Sequence, residues 1–324
     1  MRKKCSSVVV IKKSSTTPNQ YNVYIVQNKL LKHCFIFLLF FFAFLVVKPQ
    51  HTPLSQEQTD ALNYLDSFIN IQQSAYWINI KPKLFIENLR KNIKEPVHIY
   101  PGSNTNFCSY AALSYSCVST FPLRYVHFMI ELYMNGDAAF RKISFKPSDA
   151  VQKAVGLLKF KGELDINHAD QMWYMSLADH FKGYVNWFSW HYKPGAEDKF
   201  WPSTNLKKFN RMLRKICNYE THSTGSDLIR PSFKNIVDYL NGKLVNNHQV
   251  FLYVNNIILH KRKHNRIFYR IPTHYIVLLG IVEKDGLVTL RYWDYGFTTQ
   301  KEMPISEFKD IVFGVIWCKK QTEK

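Results

Sequence analysis

The sequence predicts an α+β fold, and three observations carry that prediction. Helical periodicity with recognisable helix boundaries runs from about residue 55 to 245. Apolar strand runs joined by a hairpin signal follow from residue 250 onward. No strand–helix–strand alternation occurs, so the sheet is expected to be antiparallel and separate from the helices. The 324 residues are 46% hydrophobic and 15% aromatic, which supplies a packed core and excludes a disordered chain.

Residues 1–28 read as a basic N-terminal tail without clear amphipathic pattern. Within 29–49, Cys34 to Val47 is apolar throughout, with Lys29, Lys32 and His33 before it and Lys48 and Pro49 after. At about 14 residues the run is short for a spanning helix, which needs about 20, and matches the apolar centre of a signal sequence. No small-x-small cleavage site follows, so an uncleaved signal-anchor is favoured over a cleaved signal peptide. Basic flanks stay cytoplasmic, which would put residues 50–324 outside the cytoplasm, either membrane-anchored or secreted. Charge points nowhere by itself. Residues 1–48 hold eight basic residues and no acidic one, so 8 of the formal +19 lies there and +11 is left for the rest. A basic domain can favour anionic surfaces, but no nucleic-acid motif or groove-reading helix is present, and no nucleic-acid partner is expected.

The elements follow in order. From Ser55 to about Ser74, Leu62, Leu65, Phe68 and Ile69 share a helical face, with Glu57 and Asp60 near the start. Leu84 to Lys94 is a short helix ending before Pro96. Pro101-Gly102-Ser103-Asn104 is a turn cluster, followed by helices at about 107–119 and 122–135, the latter opened by Pro122. The stretch of about 145–245 reads as mostly helical, with helices from Ser148, over His168–Phe181, and at 205–217 and 233–241. Trp187, Trp190 and Trp201 fall there as candidate binding aromatics, with a core role favoured. Strands are expected at 250–254, 274–282, 287–293 and 312–317. Asp285-Gly286 joins the second to the third. The basic segment His260–Arg266 lies between strands and reads as a solvated loop, with attraction of an anionic partner the alternative.

Of six cysteines, Cys108, Cys117, Cys217 and Cys318 lie beyond the apolar run. They show neither CxxC nor zinc-like spacing, so no metal or other cofactor is expected. Cys108 opens a helix of small residues, Cys108-Ser109-Tyr110-Ala111-Ala112-Leu113. A helix start, partial exposure and a nearby imidazole all favour the thiolate that a nucleophile requires. His274 opens an apolar strand and Asp294 closes the next one. The two are almost equally far from the Asp-Gly turn, so they should lie close together across the hairpin, within a slip of a residue or so. That geometry suits a base held by an orienting carboxylate. Each residue alone reads as core or turn; their order and element types together point to chemistry. If Cys108 is a free nucleophile, at most one disulfide forms among Cys117, Cys217 and Cys318.

His274-Tyr275-Ile276-Val277-Leu278-Leu279-Gly280-Ile281, then Trp293-Asp294-Tyr295-Gly296 and Ile305-Ser306-Glu307-Phe308, resembles the C-terminal half of bacteriocin-processing (double-glycine leader) cysteine peptidases. Cys108 to Leu113 resembles the cysteine helix of that family. The likeness covers roughly 90 residues in two blocks. It implies a papain-like fold over 50–324, with about 145–245 as a helical insertion. It also implies Cys108 as nucleophile, His274 as base and Asp294 as orienter, acting on a peptide or protein substrate. Two departures stand out. The family's oxyanion-hole glutamine, six residues before the cysteine, is Gly102 here, which leaves Asn104 and Asn106 as candidate amide donors. The glycine that usually follows the cysteine is Ser109. The resulting expectation is an extracytoplasmic cysteine peptidase working through a thioester. The alternatives are a catalytically silent papain-like binding module and a transglutaminase- or amidase-like thiol enzyme.

Overall fold

Helix boundaries in the computed structural model follow local signals in the sequence. The structure describes residues 53–102, 105–158, 167–182, 184, 191–199, 201–259 and 271–321. Helix α1 (Gln56–Asp66) starts at a capping box: Ser55 Oγ accepts from the Gln58 backbone N–H, and Ser55 N–H donates to Gln58 Oε1. The expected continuation to residue 74 does not form. Ser67 donates its hydroxyl to the Tyr64 carbonyl (2.7 Å), and the next N–H groups turn back to carbonyls three residues earlier.

Helix α2 (Pro82–Lys94) and α4 (Pro122–Asn135) each carry proline in the first turn, where the missing N–H costs nothing. Between these two runs α3 (Cys108–Thr120), buried along most of its length. Gly136 closes α4 in the left-handed conformation, φ 75°. A small hairpin follows, β1 (Ala138–Phe140) with β2 (Ile143–Phe145), then α5 (Asp149–Ala154) and α6 (His168–Phe181). Helix α7 (Leu206–Ile216) is capped by Asn205 Oδ1, which accepts from the Lys208 N–H at 2.8 Å.

The central sheet is antiparallel and six-stranded, in the order β3-β8-β4-β5-β6-β7. Its strands are β3 (Tyr219–Gly225), β4 (Gln249–Val254), β5 (His274–Lys284), β6 (Leu287–Asp294), β7 (Phe297–Pro304) and β8 (Val312–Lys320). Helices α8 (Ile236–Val245), α9 (Asn256–Leu259) and α10 (Ile305–Ile311) sit between strands in the chain. Helices preceding an antiparallel sheet are the α+β arrangement anticipated from the sequence. Two strands correct the expectation of four. Within the stretch read as mostly helical, Tyr219–Gly225 is edge strand β3, and Phe297–Pro304 is edge strand β7. Both are polar and largely exposed, which protects open sheet edges from further pairing but removes the apolar alternation that marks a strand.

Strand alternation sorts the core onto the two faces of the sheet. Phe251, Tyr253, Tyr275, Val277 and Trp293 face a large cluster with the helices α1–α7. Val250, Leu252, Ile276, Leu278 and Tyr292 face a smaller one, closed by Ile236 and Leu240 of α8 and by Phe308 of α10. Leu54–Lys324 is one compact unit. Among the described residues no helix is long and apolar enough to cross a membrane. The basic tail, the apolar run 34–47, Asn104, Trp187, Trp190 and the basic loop 260–266 lie outside the described residues. Trp201 is a core residue, 2% exposed.

Candidate active site

Cys108 is the first residue of α3, and the loop before it is tied down by backbone and hydroxyl groups. Thr105 donates its hydroxyl to the Pro101 carbonyl (2.6 Å) and accepts from the Phe107 N–H. Helix α3 is buried nearly all round, so its serines find partners inside: Ser114 donates to the Tyr110 carbonyl and accepts from Trp173 Nε1, both at 2.6 Å. Trp293 of β6 holds the helix against the sheet. Its ring stacks on Tyr115 at 4.9 Å and its Nε1 donates to the Val97 carbonyl. Cys108 itself is partly exposed and is a free thiol.

His274 opens β5 opposite Val254, and Asp294 closes β6. The pairing between these strands explains how the two meet. From Lys284↔Leu287 to Gly280↔Arg291 the register is unbroken. Continued, it would set Asp294 opposite Val277 and on the face away from His274. A bulge between Leu278 and Gly280 shifts the register by one, giving Leu278↔Tyr292 and Val277↔Trp293. Asp294 then falls opposite Ile276, two residues from His274 and on its face. The direct opposition anticipated from the sequence is therefore a diagonal, at a Cβ spacing that the longer side chains bridge. His274 Nε2 and Asp294 Oδ1 are 2.6 Å apart, with the side chains 2% and 4% exposed.

With Nε2 held by Asp294, Nδ1 is the nitrogen available to the thiol, and the ring is hydrogen-bonded to Cys108. The Cys108 sulfur also lies 3.9 Å from the Thr273 carbonyl oxygen. Burial, the largest single influence, pushes the His274 pKa down. The Asp294 charge, Tyr295 and the hydrogen bonds to Asp294 and Cys108 together outweigh it and hold His274 well above its ordinary value. The balance thus favours the imidazolium form of a ring placed beside a thiol on a helix N-terminus.

Tyr295 was not singled out from the sequence as a site residue. It sits in the two-residue turn between β6 and β7 at φ 45°, followed by Gly296 at φ 82°, the type I′ geometry that matches strand twist. A tyrosine there costs backbone strain, and its ring stacks on His274 at 4.8 Å and 12°. Its hydroxyl accepts from Asn256 Nδ2. The only sequence signal for this was the position of Tyr295 between the aspartate and the glycine of the turn.

The oxyanion side is less complete. Gly102, at the family's glutamine position, has φ 88° and no side chain to donate. Asn106 Nδ2 donates to the Asp198 (2.8 Å) and Lys199 (2.9 Å) carbonyls, so the amide offered as a candidate donor is engaged in tying the loop to 197–199. Among the described residues, the backbone N–H of Cys108, in the first helical turn, is placed as a donor. Ser109 has a buried hydroxyl without a hydrogen-bond partner.

Cys108 opens on a cavity of about 450 Å³ between α3, the start of α7 and β4–β5. A larger cavity of about 730 Å³ lies by Phe121, Arg124, His127 and Lys320 and contains none of the three site residues. The remaining described cysteines are buried thiols. Cys217 is hydrogen-bonded to Cys117, and burial pushes Cys217 and Cys318 up, away from reactivity. Among the described residues no cluster of histidine, cysteine or carboxylate side chains is placed to hold a metal. The chain matches no protein-family model and no curated protein sequence.

Proposed function

We propose that this chain is a cysteine peptidase of papain-like fold, with Cys108 as nucleophile, His274 as acid and base, and Asp294 as orienter. The Cys108 thiolate attacks the carbonyl carbon of a peptide bond, and the tetrahedral oxyanion takes a hydrogen bond from the Cys108 N–H. The His274 imidazolium then gives its proton to the leaving amine, which departs as a thioester forms. Neutral His274 next takes a proton from water, hydroxide displaces the thiolate, and the acid product leaves. Asp294 keeps the ring in place through both steps. On this reading the N-terminal apolar run carries the domain outside the cytoplasm, tethered to the membrane or released by cleavage.

The observation that carries the proposal is the short His274–Asp294 contact, buried, with the same ring hydrogen-bonded to a thiol at a helix start. A second reading, a silent binding module, draws on the engaged Asn106 amide and on Gly102 at the glutamine position. Iodoacetamide labelling at pH 6 separates the two. Cys108 should react at least about tenfold faster than glutathione, and His274→Ala should remove the advantage. Labelling no faster than glutathione, or unchanged in His274→Ala, leaves the binding module.

A further inference from the structure

We infer that the cavity beside Cys108 receives a positively charged side chain of the substrate, held by Asp227 and a wall of tyrosine rings. The inference deepens the peptidase reading by naming what part of a peptide the site selects. Asp227 lies in the loop after β3 and is half-buried at the cavity wall. It accepts a hydrogen bond from the Leu206 N–H at the start of α7 and another from the Tyr184 hydroxyl. Two further rings line the same cavity, Tyr253 and Tyr275, stacked on one another at 4.3 Å.

The charge pattern is what makes this informative. The chain has a formal net charge of +19, with 43 lysines and arginines against 24 acidic residues. Yet among the described residues lining this cavity there is one carboxylate and no lysine, arginine or histidine. A carboxylate with two of its acceptor positions used has capacity for a charge-assisted bond to an ammonium or guanidinium. Phenol rings at the wall add a favourable face for the same cation. The hydroxyl of Thr204, also in the cavity wall, is buried without a hydrogen-bond partner. An anionic side chain would meet Asp227 with no counter-charge among the described wall residues, and a purely apolar one would leave these polar groups unpaired. The chemistry therefore fits a lysine or arginine residue flanking the scissile bond.

The test uses Cys108 as the reporter and needs no peptide substrate. Cys108 is labelled with three methanethiosulfonates of matched reactivity: cationic trimethylammonioethyl, neutral methyl and anionic sulfonatoethyl. In each, the thiolate forms a mixed disulfide and methanesulfinate leaves, and the rate is followed by mass spectrometry on the Cys108 peptide. The cation-to-neutral rate ratio should fall by about threefold or more in Asp227→Asn, which keeps the Leu206 N–H acceptor but removes the charge. Leu228→Lys, at a position 80% exposed on the cavity rim, should lower the same ratio without disturbing packing. A ratio unchanged in both variants, or no labelling of Cys108 by any reagent, overturns the inference. Loss of the peptidase reading shows separately, as a neutral-reagent rate that His274→Ala leaves unaltered.

Discussion

Removing the Asp294 carboxylate should damage both the site and the fold, by different amounts at different pH. The pair is 2.6 Å apart and almost fully buried, so Asp294→Ala leaves His274 inside the protein without its main counter-charge. Breaking a buried pair from one side costs about 3–5 kcal/mol. In wild type the raised His274 pKa adds stability that is fully present below about pH 6.5, the unfolded value. It is lost as pH rises through the higher folded value. In Asp294→Ala the largest upward influence is gone and burial is opposed only by Tyr295 and the Cys108 hydrogen bond, so the balance shifts toward the neutral ring. The stability difference between the two proteins, from urea unfolding, should therefore be large at pH 6 and shrink toward alkaline pH. The Cys108 alkylation rate should follow, falling in the variant by about tenfold or more at pH 6 and converging as the free thiol itself ionises. Asp294→Asn retains an acceptor for Nε2–H and should lose less on both measures. A pH–rate profile for Asp294→Ala that superimposes on wild type would refute the reasoning, because Asp294 would then not govern the charge on His274.

Two other perturbations have readouts of their own. Asp170, buried among Asn88, Asn92 and Tyr125 of the helical layer, has its carboxyl pushed up to about 6 by burial, against opposing hydrogen bonds from Asn92 and Asn88. The folded state thus holds that proton more tightly than the unfolded chain, and its contribution rises as pH falls from about 6 toward the ordinary value. Stability in urea should gain about 1–2 kcal/mol from this group between pH 7 and pH 5. Asp170→Asn should flatten that part of the profile, and a profile identical to wild type would rule it out. Tyr295→Gly exchanges the ring stacked on His274 for relief of a left-handed tyrosine, effects of about 1 kcal/mol each and opposite sign. Overall stability should barely change while Cys108 alkylation slows by about threefold; a fall in stability with alkylation unchanged would assign Tyr295 to the fold alone.

What could be read from the sequence divides along physical lines. Helix α4 was legible to the residue because a proline start, a left-handed glycine stop and a run of large apolar residues agree with one another, and α6 because its apolar residues, Met172, Met175 and Leu177 among them, recur at helical spacing. The polar edge strands β3 and β7 were not, since exposure on an open edge erases the alternation that announces a strand. The site shows the same division more sharply. Cys108, His274 and Asp294 could be named from element type and chain order, and the nearness of His274 to Asp294 from the symmetry of the Asp-Gly hairpin. The Leu279 bulge could not be seen, because β5 is buried on both faces over Tyr275–Leu278 and a one-residue slip leaves no mark in a run that is apolar at every position. Yet without that slip the same hairpin would set the carboxylate on the wrong face of the sheet. The pairing of His274 with Asp294 therefore depends on a backbone irregularity five residues from the histidine, in a segment that looks like plain core.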